Sequence, residues 1–329
     1  MSSCTPVDGL CRPAITVFAR QLLGTVCVLG GNDCPLIEKS RAREVLDRVK
    51  SDPTVSMRLM SDADEVPYYR LPSGAVCTEL NREEVLNHKR DLDVLQRLGL
   101  CPGDTRRARY LYTLLFEQVK TPVGICAHDT PGWEGCPLAY SGAYERIREQ
   151  GWRAVVWCRS EAEKEQERVR CLETIRREGQ IYIRPHHLLC IACGYNGGEL
   201  RSPRPDDTIF ELIQIMREQP GIPIVLIEGT CQVCDCCEGY HPPTHRCVHG
   251  GGLIRDYQRD LQVFQRLGMM PGDSMPAREL FRMLFERIPS TRLICGYGDG
   301  VSRSREWSIC GPAEGSVGYA QTRALGWFS

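Results

Sequence analysis

The segment DLDVLQRLGLCPGD (Asp91 to Asp104) recurs as DLQVFQRLGMMPGD (Asp260 to Asp273), with ten of the fourteen positions identical. The match continues outward on both sides. ITVFARQLLGTVCVLGG from Ile15 aligns with IYIRPHHLLCIACGYNGG from Ile181, and ARYLYTLLFE from Ala108 aligns with ARELFRMLFE from Ala277. Each half closes on a Gly-Trp pair, at Trp152 and at Trp327. A period of about 170 residues is too long for a solenoid unit. It reads as duplication of a whole domain, so a fold proposed for one half must also suit the other.

Each half has the same pattern of elements. An extended opening (15–18; 181–184) runs into a short helical Leu-Leu segment. An amphipathic helix (38–50; 207–217) and a β-branched strand (55–60; 222–227) follow. Two helices come next, over 82–98 and 106–119 in the first half and over 253–267 and 276–287 in the second. Pro-Gly-Asp separates them, which predicts Asp104 and Asp273 as N-caps. The expected class is α+β: small α/β units, with short strands and several helices, used as two tandem domains. The first spans 1–158 and the second 180–329. The charged segment 159–179 is free of proline and is expected to form a linking helix.

Composition narrows the function. A formal charge of −1 argues against a dominant electrostatic affinity for nucleic acid. No apolar run approaches the ~18 residues of a membrane-spanning helix, and no secretory leader is visible. Nineteen cysteines is an odd count in a chain long enough to need no disulfide staples. Clustered thiols then read as metal ligation or redox chemistry in a reducing, cytoplasmic setting. Walker, GxGxxG, HExxH and GxSxG motifs are absent from the sequence.

Comparison of the halves sorts the cysteines. Cys27 pairs with Cys193, Cys77 with Cys247, Cys126 with Cys295, and Cys136 with Cys310. Cys190, Cys231, Cys234, Cys236 and Cys237 occur only in the second half, while Cys4, Cys11, Cys34, Cys101, Cys158 and Cys171 have no partner. Asp64 and Pro67 stand opposite Cys231 and Cys234, and Arg20 and Gln21 stand opposite His186 and His187. The first half therefore lacks the CQVCDCC loop and is expected to be a degenerate copy.

RPHHLLC (Arg184 to Cys190), followed by a strand, the Cys231/Cys234 pair and the later Cys247, resembles the bacterial and archaeal family called domain of unknown function 1284. The resemblance covers roughly 181–327. It implies an iron–sulfur protein without naming an activity. The additional Cys236 and Cys237, and the second copy, depart from the family's pattern.

A [4Fe–4S] cluster needs about four thiolates, commonly several from one loop and one from afar. Cys190, Cys231, Cys234 and Cys247 meet that description, with Cys236 and Cys237 as further candidate ligands. Zinc is the alternative metal, because CxxC loops also build zinc ribbons. His186 and His187 diverge by about 100° on a helix; one is expected to serve as an acid–base group and the other to have a structural role. Arg184 is a candidate donor to a cluster sulfur or an anionic substrate, with an ordinary salt bridge as its alternative. Cys295 and Cys310, like Cys126 and Cys136, are either ligands of a second site or buried small apolar residues. His241, His245 and His249 surround Cys247, where histidine ligation would suit zinc; Pro242 and Pro243 more simply mark a surface loop. The expected role is electron transfer or a redox step, with a redox protein or a small molecule as partner. A zinc-stabilised interaction module is the alternative. Oligomeric state and enzymatic activity are left open.

Overall fold

The computed structural model describes residues 14–61, 69–70, 76–77, 82–249 and 252–326. Cys4, Cys11, Asp64, Pro67 and Trp327 lie outside the described residues. The chain divides into two compact units, Met1–Cys158 and Arg159–Ser329. The fold class is α+β.

The N-terminal unit runs β1 (Ile15–Phe18), α1 (Ala19–Leu29), α2 (Lys39–Ser51) and β2 (Ser56–Met60). It continues through the small hairpin of β3 (Tyr69–Arg70) and β4 (Val76–Cys77) to α3 (Arg82–Leu98), β5 (Thr105–Arg107), α4 (Ala108–Gln118) and α5 (Ala143–Gln150). β1 lies parallel to β2 with Ile15 opposite Met57, and β2 lies antiparallel to β5 with Ser56 opposite Arg107. Alternation along β1 buries Ile15 and Val17 into a core shared with Leu22, Leu23 and Val26 of α1.

The C-terminal unit begins with α6 (Glu161–Glu178) and continues β6 (Ile181–Ile183), α7 (His186–Tyr195), α8 (Ile209–Glu218) and β7 (Pro223–Leu226). The hairpin of β8 (Tyr240–His241) and β9 (Arg246–Cys247) follows, then α9 (Gly252–Leu267), β10 (Ser274–Pro276), α10 (Ala277–Arg287), α11 (Arg292–Cys295) and α12 (Val317–Leu325). β6 and β7 are parallel, with Ile181 opposite Ile224. β7 and β10 are antiparallel, with Ser274 opposite Val225.

The units share more than element order. Tyr144 donates its hydroxyl to the Val119 carbonyl at 2.8 Å, and Tyr319 to the Ile288 carbonyl at 2.7 Å. Arg148 Nε donates to the Phe116 carbonyl and Arg323 Nε to the Phe285 carbonyl, both at 2.8 Å. In each unit these two bonds tie the last helix to the helix that follows the third strand. In the hairpins, Tyr69 pairs with Cys77 and Tyr240 with Cys247.

Two expectations need correction. Asp104 and Asp273 are not N-caps, because a third strand, β5 or β10, intervenes before the helix. Their carboxylates instead accept from the Cys101 and Met270 backbone N–H groups at 2.8 Å, closing the Pro-Gly-Asp turn. Gly103 and Gly272 take φ of +86° and +96° in these turns, which suits glycine. The charged segment does form a helix, but α6 is built into the C-terminal unit. Ser160 and Glu163 form a capping box at its start, and Gly179 ends it in the left-handed region. Cys171 and Ile175 enter the C-terminal core, while buried Lys164 and Arg168 pair with Asp206 and Glu211 at 2.6 Å.

If α6 belongs to this core, Ile175→Ala should leave an apolar void there. We expect a loss of about 2–5 kcal/mol in the stability of the C-terminal unit, read as a lower urea midpoint with an unchanged slope.

Candidate metal centre

The start of α7 is fixed by one carboxylate. Asp260, 1% exposed, accepts from the His186 backbone N–H at 3.0 Å and from His186 Nδ1 at 2.8 Å through Oδ1. Oδ2 accepts from Arg184 Nε at 2.8 Å and Nη2 at 2.6 Å. Burial alone would raise the Asp260 carboxyl. The His186 hydrogen bond and the charge and hydrogen bonds of Arg184 outweigh it and hold the carboxyl below its ordinary value. His186 is pushed down to about 4 by burial and by the adjacent His187, against the pull of Asp260. The neutral ring therefore carries its proton on Nδ1 and leaves Nε2 as the basic nitrogen.

His187 is turned to the cysteine loop. Its Nδ1 lies 3.1 Å from Cys231 Sγ, and Cys231 Sγ lies 3.9 Å from Cys234 Sγ. Ligand atoms of His187, Cys231 and Cys234 fall within 4.8 Å of one another, as do those of His186, His187 and Cys190. His187 is common to both groups. The loop is wound in successive turns, with Cys234 N bonded to the Cys231 carbonyl at 2.7 Å and Cys237 N to the Cys234 carbonyl at 2.8 Å. Its frame is pinned from outside. Gln232 accepts from Tyr182 N at 2.7 Å through its side chain and from the Thr208 hydroxyl at 2.9 Å through its carbonyl. Buried Arg159 donates to the carbonyls of Asp235 at 2.6 Å and Cys237 at 2.8 Å.

His249 Nε2 lies 3.8 Å from Cys237 Sγ, and its Nδ1 lies 3.6 Å from Cys247 Sγ. The Gly239 backbone N–H donates to Cys237 Sγ at 3.3 Å. A Cβ at Gly239 would stand 2.2 Å from His249 Nδ1, so the absence of a side chain there is what admits the imidazole.

A second set of thiols faces the same space. Cys190 and Cys193 are one turn apart on α7. Cys295 ends α11, and the Cys310 backbone N–H donates to its carbonyl at 3.0 Å. Buried Arg259 donates to the same Cys295 carbonyl at 3.0 Å. Cys190, Cys193, Cys234, Cys237, Cys247, Cys295 and Cys310 all line one cavity of about 440 Å³, together with His187 and His249. None of the cysteines with described side chains is in a disulfide.

Most of these thiols are held protonated. Burial raises Cys190 well above its ordinary value, raises Cys193 and Cys247, and pushes Cys237 and Cys295 up to about 12. Cys234 is raised well above its ordinary value by its hydrogen bond with Cys231 and by burial. A soft cation supplies the charge that stabilises thiolates in such a place, displacing the protons as it binds.

The structure sorts the sequence candidates. Cys231 and Cys234 meet His187, and Cys237 and Cys247 meet His249. Cys190 groups by distance with His186 and His187, the latter shared with the loop's own set, and lines the cavity together with Cys193, Cys295 and Cys310. Cys236 is fully buried and, like Cys231, is not among the cavity-lining residues, but unlike Cys231 it is not grouped with a histidine among the described residues; burial pushes its thiol up to about 12, partly offset by the charge of Arg168. Arg184 touches the cavity, but its guanidinium is committed to Asp260. His186 is tied through Nδ1 to Asp260, and His187 faces the loop. Cys193 was readable as half of a CxxC with Cys190, whereas the roles of Asp260, Gly239 and His249 depend on contacts that the sequence does not display.

Replacing Asp260 by Ala leaves Arg184 buried without its partner. The expected cost is about 3–5 kcal/mol in the C-terminal unit, measured by urea denaturation. Gly239→Ala should expel His249 and lower the metal bound per chain while far-UV circular dichroism stays unchanged. No protein-family model, curated protein or solved structure matches this chain, so the site is interpreted from its own chemistry.

Proposed function

We propose that the C-terminal unit is an iron–sulfur protein that carries a [4Fe–4S] cluster in the thiol-lined cavity and transfers electrons. Seven cysteines converging on one space of about 440 Å³ is the observation that carries this reading. The donor set suits the group. Cys231, Cys234, Cys237 and Cys247 provide four sulfurs from a compact loop and its adjoining hairpin. The Gly239 N–H bond to Cys237 Sγ is of the kind that tunes a cluster's potential. Cys190, Cys193, Cys295 and Cys310 provide four more from the facing elements, which suits a second centre and a relay. The RPHHLLC resemblance points the same way. When bound, the cluster supplies one-electron chemistry. The chain's own residues position the thiols, through Asp260 and Gln232, and surround them with apolar wall. A redox protein or a small substrate is the partner this implies, in a reducing compartment such as the cytoplasm. Among the described residues, no helix is long and apolar enough to cross a membrane.

Zinc is the second reading, favoured by one distance. The 3.9 Å between Cys231 Sγ and Cys234 Sγ is near the separation of about 3.8 Å that bonds of about 2.3 Å give at a tetrahedral ion.

Anaerobic purification of the full chain with iron, sulfide and zinc analysis separates the two. A brown protein with roughly equal iron and sulfide is expected. Cys234→Ala should lose iron, and Cys236→Ala should retain it. A colourless protein with stoichiometric zinc lost in Cys234→Ala would establish the zinc reading instead.

A further inference from the structure

We infer that His187, Cys231 and Cys234 form a mononuclear site that takes up the first soft divalent ion to enter the cavity, with one coordination position left open. The site shares two sulfurs with the proposed centre and rests on that reading's premise that the cysteine loop takes a soft metal. It does not depend on whether a cluster or zinc then completes the cavity.

The three donors already stand at the spacing of one ion. Bonds of about 2.3 Å to sulfur and about 2.0 Å to nitrogen at a tetrahedral ion put two sulfurs about 3.8 Å apart and a nitrogen about 3.6 Å from a sulfur. The Cys231 and Cys234 sulfurs are 3.9 Å apart, and His187 Nδ1 is 3.1 Å from Cys231 Sγ. All three ligand atoms lie within 4.8 Å of one another. Binding one ion asks the imidazole to draw back by about half an ångström and asks almost nothing of the sulfur pair. In a [4Fe–4S] cluster the four thiolates are shared among the irons, so a pair this close suits a single ion first. Cys237 and Cys247 meet the His249 ring instead, at 3.8 Å and 3.6 Å, and among the described residues they are not grouped with the triad.

The backbone presents each donor. Cys234 N bonds to the Cys231 carbonyl at 2.7 Å, and Gln232 between them is tied to Tyr182 and Thr208. His187 N bonds to the Arg184 carbonyl at 3.0 Å in the first turn of α7. The His187 ring meets the His186 ring edge-on, with centroids 4.4 Å apart, and His186 is held by Asp260. The N-terminal unit has Gln21 at the position of His187. Its side-chain oxygen accepts from the Phe18 N–H at 3.0 Å, so there the residue serves the helix start.

Charge and access agree with this assignment. Two thiolates balance a divalent ion, so the loaded triad is neutral and Arg184 remains with Asp260. Binding releases the two thiol protons and moves no electrons. Two sulfurs and an imidazole favour zinc or a similarly soft ion over calcium or magnesium. His187 and Cys234 line the cavity, while Cys231 is 4% exposed and does not. The fourth position therefore faces the cavity, where water or a further thiol completes the ion. Three protein ligands with one open position is the arrangement zinc takes where its fourth ligand exchanges.

The test uses the full chain, reduced, stripped of metal anaerobically and given one equivalent of 113Cd2+. Proton–cadmium correlation spectra are recorded for the wild type, His187→Gln, Cys234→Ser and Cys247→Ser. Expected is one cadmium resonance coupled to one histidine ring and to two cysteine methylenes. His187→Gln should lose the ring coupling and shift the resonance, Cys234→Ser should abolish it, and Cys247→Ser should leave it in place. Glutamine is the residue the N-terminal unit uses at this position, and far-UV circular dichroism checks that each variant folds. A resonance coupled to cysteines alone and unmoved in folded His187→Gln would overturn the inference. If that resonance vanished in Cys234→Ser and Cys247→Ser alike, the loop would still be a metal centre. A resonance untouched by Cys234→Ser would overturn the inference and the metal reading of the loop together. The triad confirmed in a protein that purifies without iron or sulfide would uphold the inference and remove the cluster.

Discussion

A carboxylate with about 1% exposure is costly unless every lone pair has a donor, and Asp260 meets that condition with four. One donor is the backbone N–H of the first residue of α7, where the helix macrodipole also favours negative charge. The others lock Arg184 and His186 on either side. This one group sets the origin and rotation of α7, and α7 carries His187, Cys190 and Cys193. Once α7 is fixed against α9, His187 has no choice but to meet the Cys231–Cys234 turn. The site is therefore an outcome of how a charge is satisfied in the core, and the thiols are arranged around it.

The N-terminal unit keeps this anchor and alters what it supports. Asp91 accepts from the Arg20 backbone N–H at 2.7 Å and from the Arg20 guanidinium. Arg20 thus combines the helix-start bond that His186 makes with the ion pair that Arg184 makes. Its guanidinium then stacks on Phe18, the residue at the position of Arg184, 4.3 Å from the ring centroid. A permanently charged fork satisfies the aspartate without leaving a basic ring nitrogen. The imidazole pair is thereby lost while the fold is retained.

Much of this was legible in the sequence because repeated segments constrain one another. The order of strands and helices, the short opening strand and the two long helices of each half can be read from periodicity checked twice. The third strand escaped because β5 and β10 are three residues long and follow Pro-Gly-Asp, a signal that also suits a helix start. The assignment of α6 as a linker failed for a physical reason: its buried stripe includes Lys164 and Arg168, whose burial depends on Asp206 and Glu211 elsewhere in the chain. At the site, the CQVCDCC loop announced itself by composition. Cys236 was indistinguishable from its neighbours because spacing alone does not show which thiols of the loop line the cavity.

Burial of so many thiols raises the question of what makes the arrangement stable. Burial holds Cys190, Cys193, Cys234, Cys237, Cys247 and Cys295 as neutral thiols, and a neutral thiol packs as a small apolar group with little directional bonding. The segments that carry them, the 231–237 loop, the β8–β9 hairpin and the chain around Cys310, present short elements with few apolar anchors of their own. Arg159 and Arg259 hold these segments by donating to backbone carbonyls, and Gln232 by accepting from the Tyr182 N–H and the Thr208 hydroxyl, which fixes the path of the chain without using the sulfurs. The sulfurs are left available to one another across the cavity. Metal binding would convert these weak contacts into bonds between segments far apart in sequence, and its free energy would add to that of folding. On that reading the stability of the loops and the occupancy of the centre would be linked, so a change at Gly239 or Gln232 that touches no thiol would act on both.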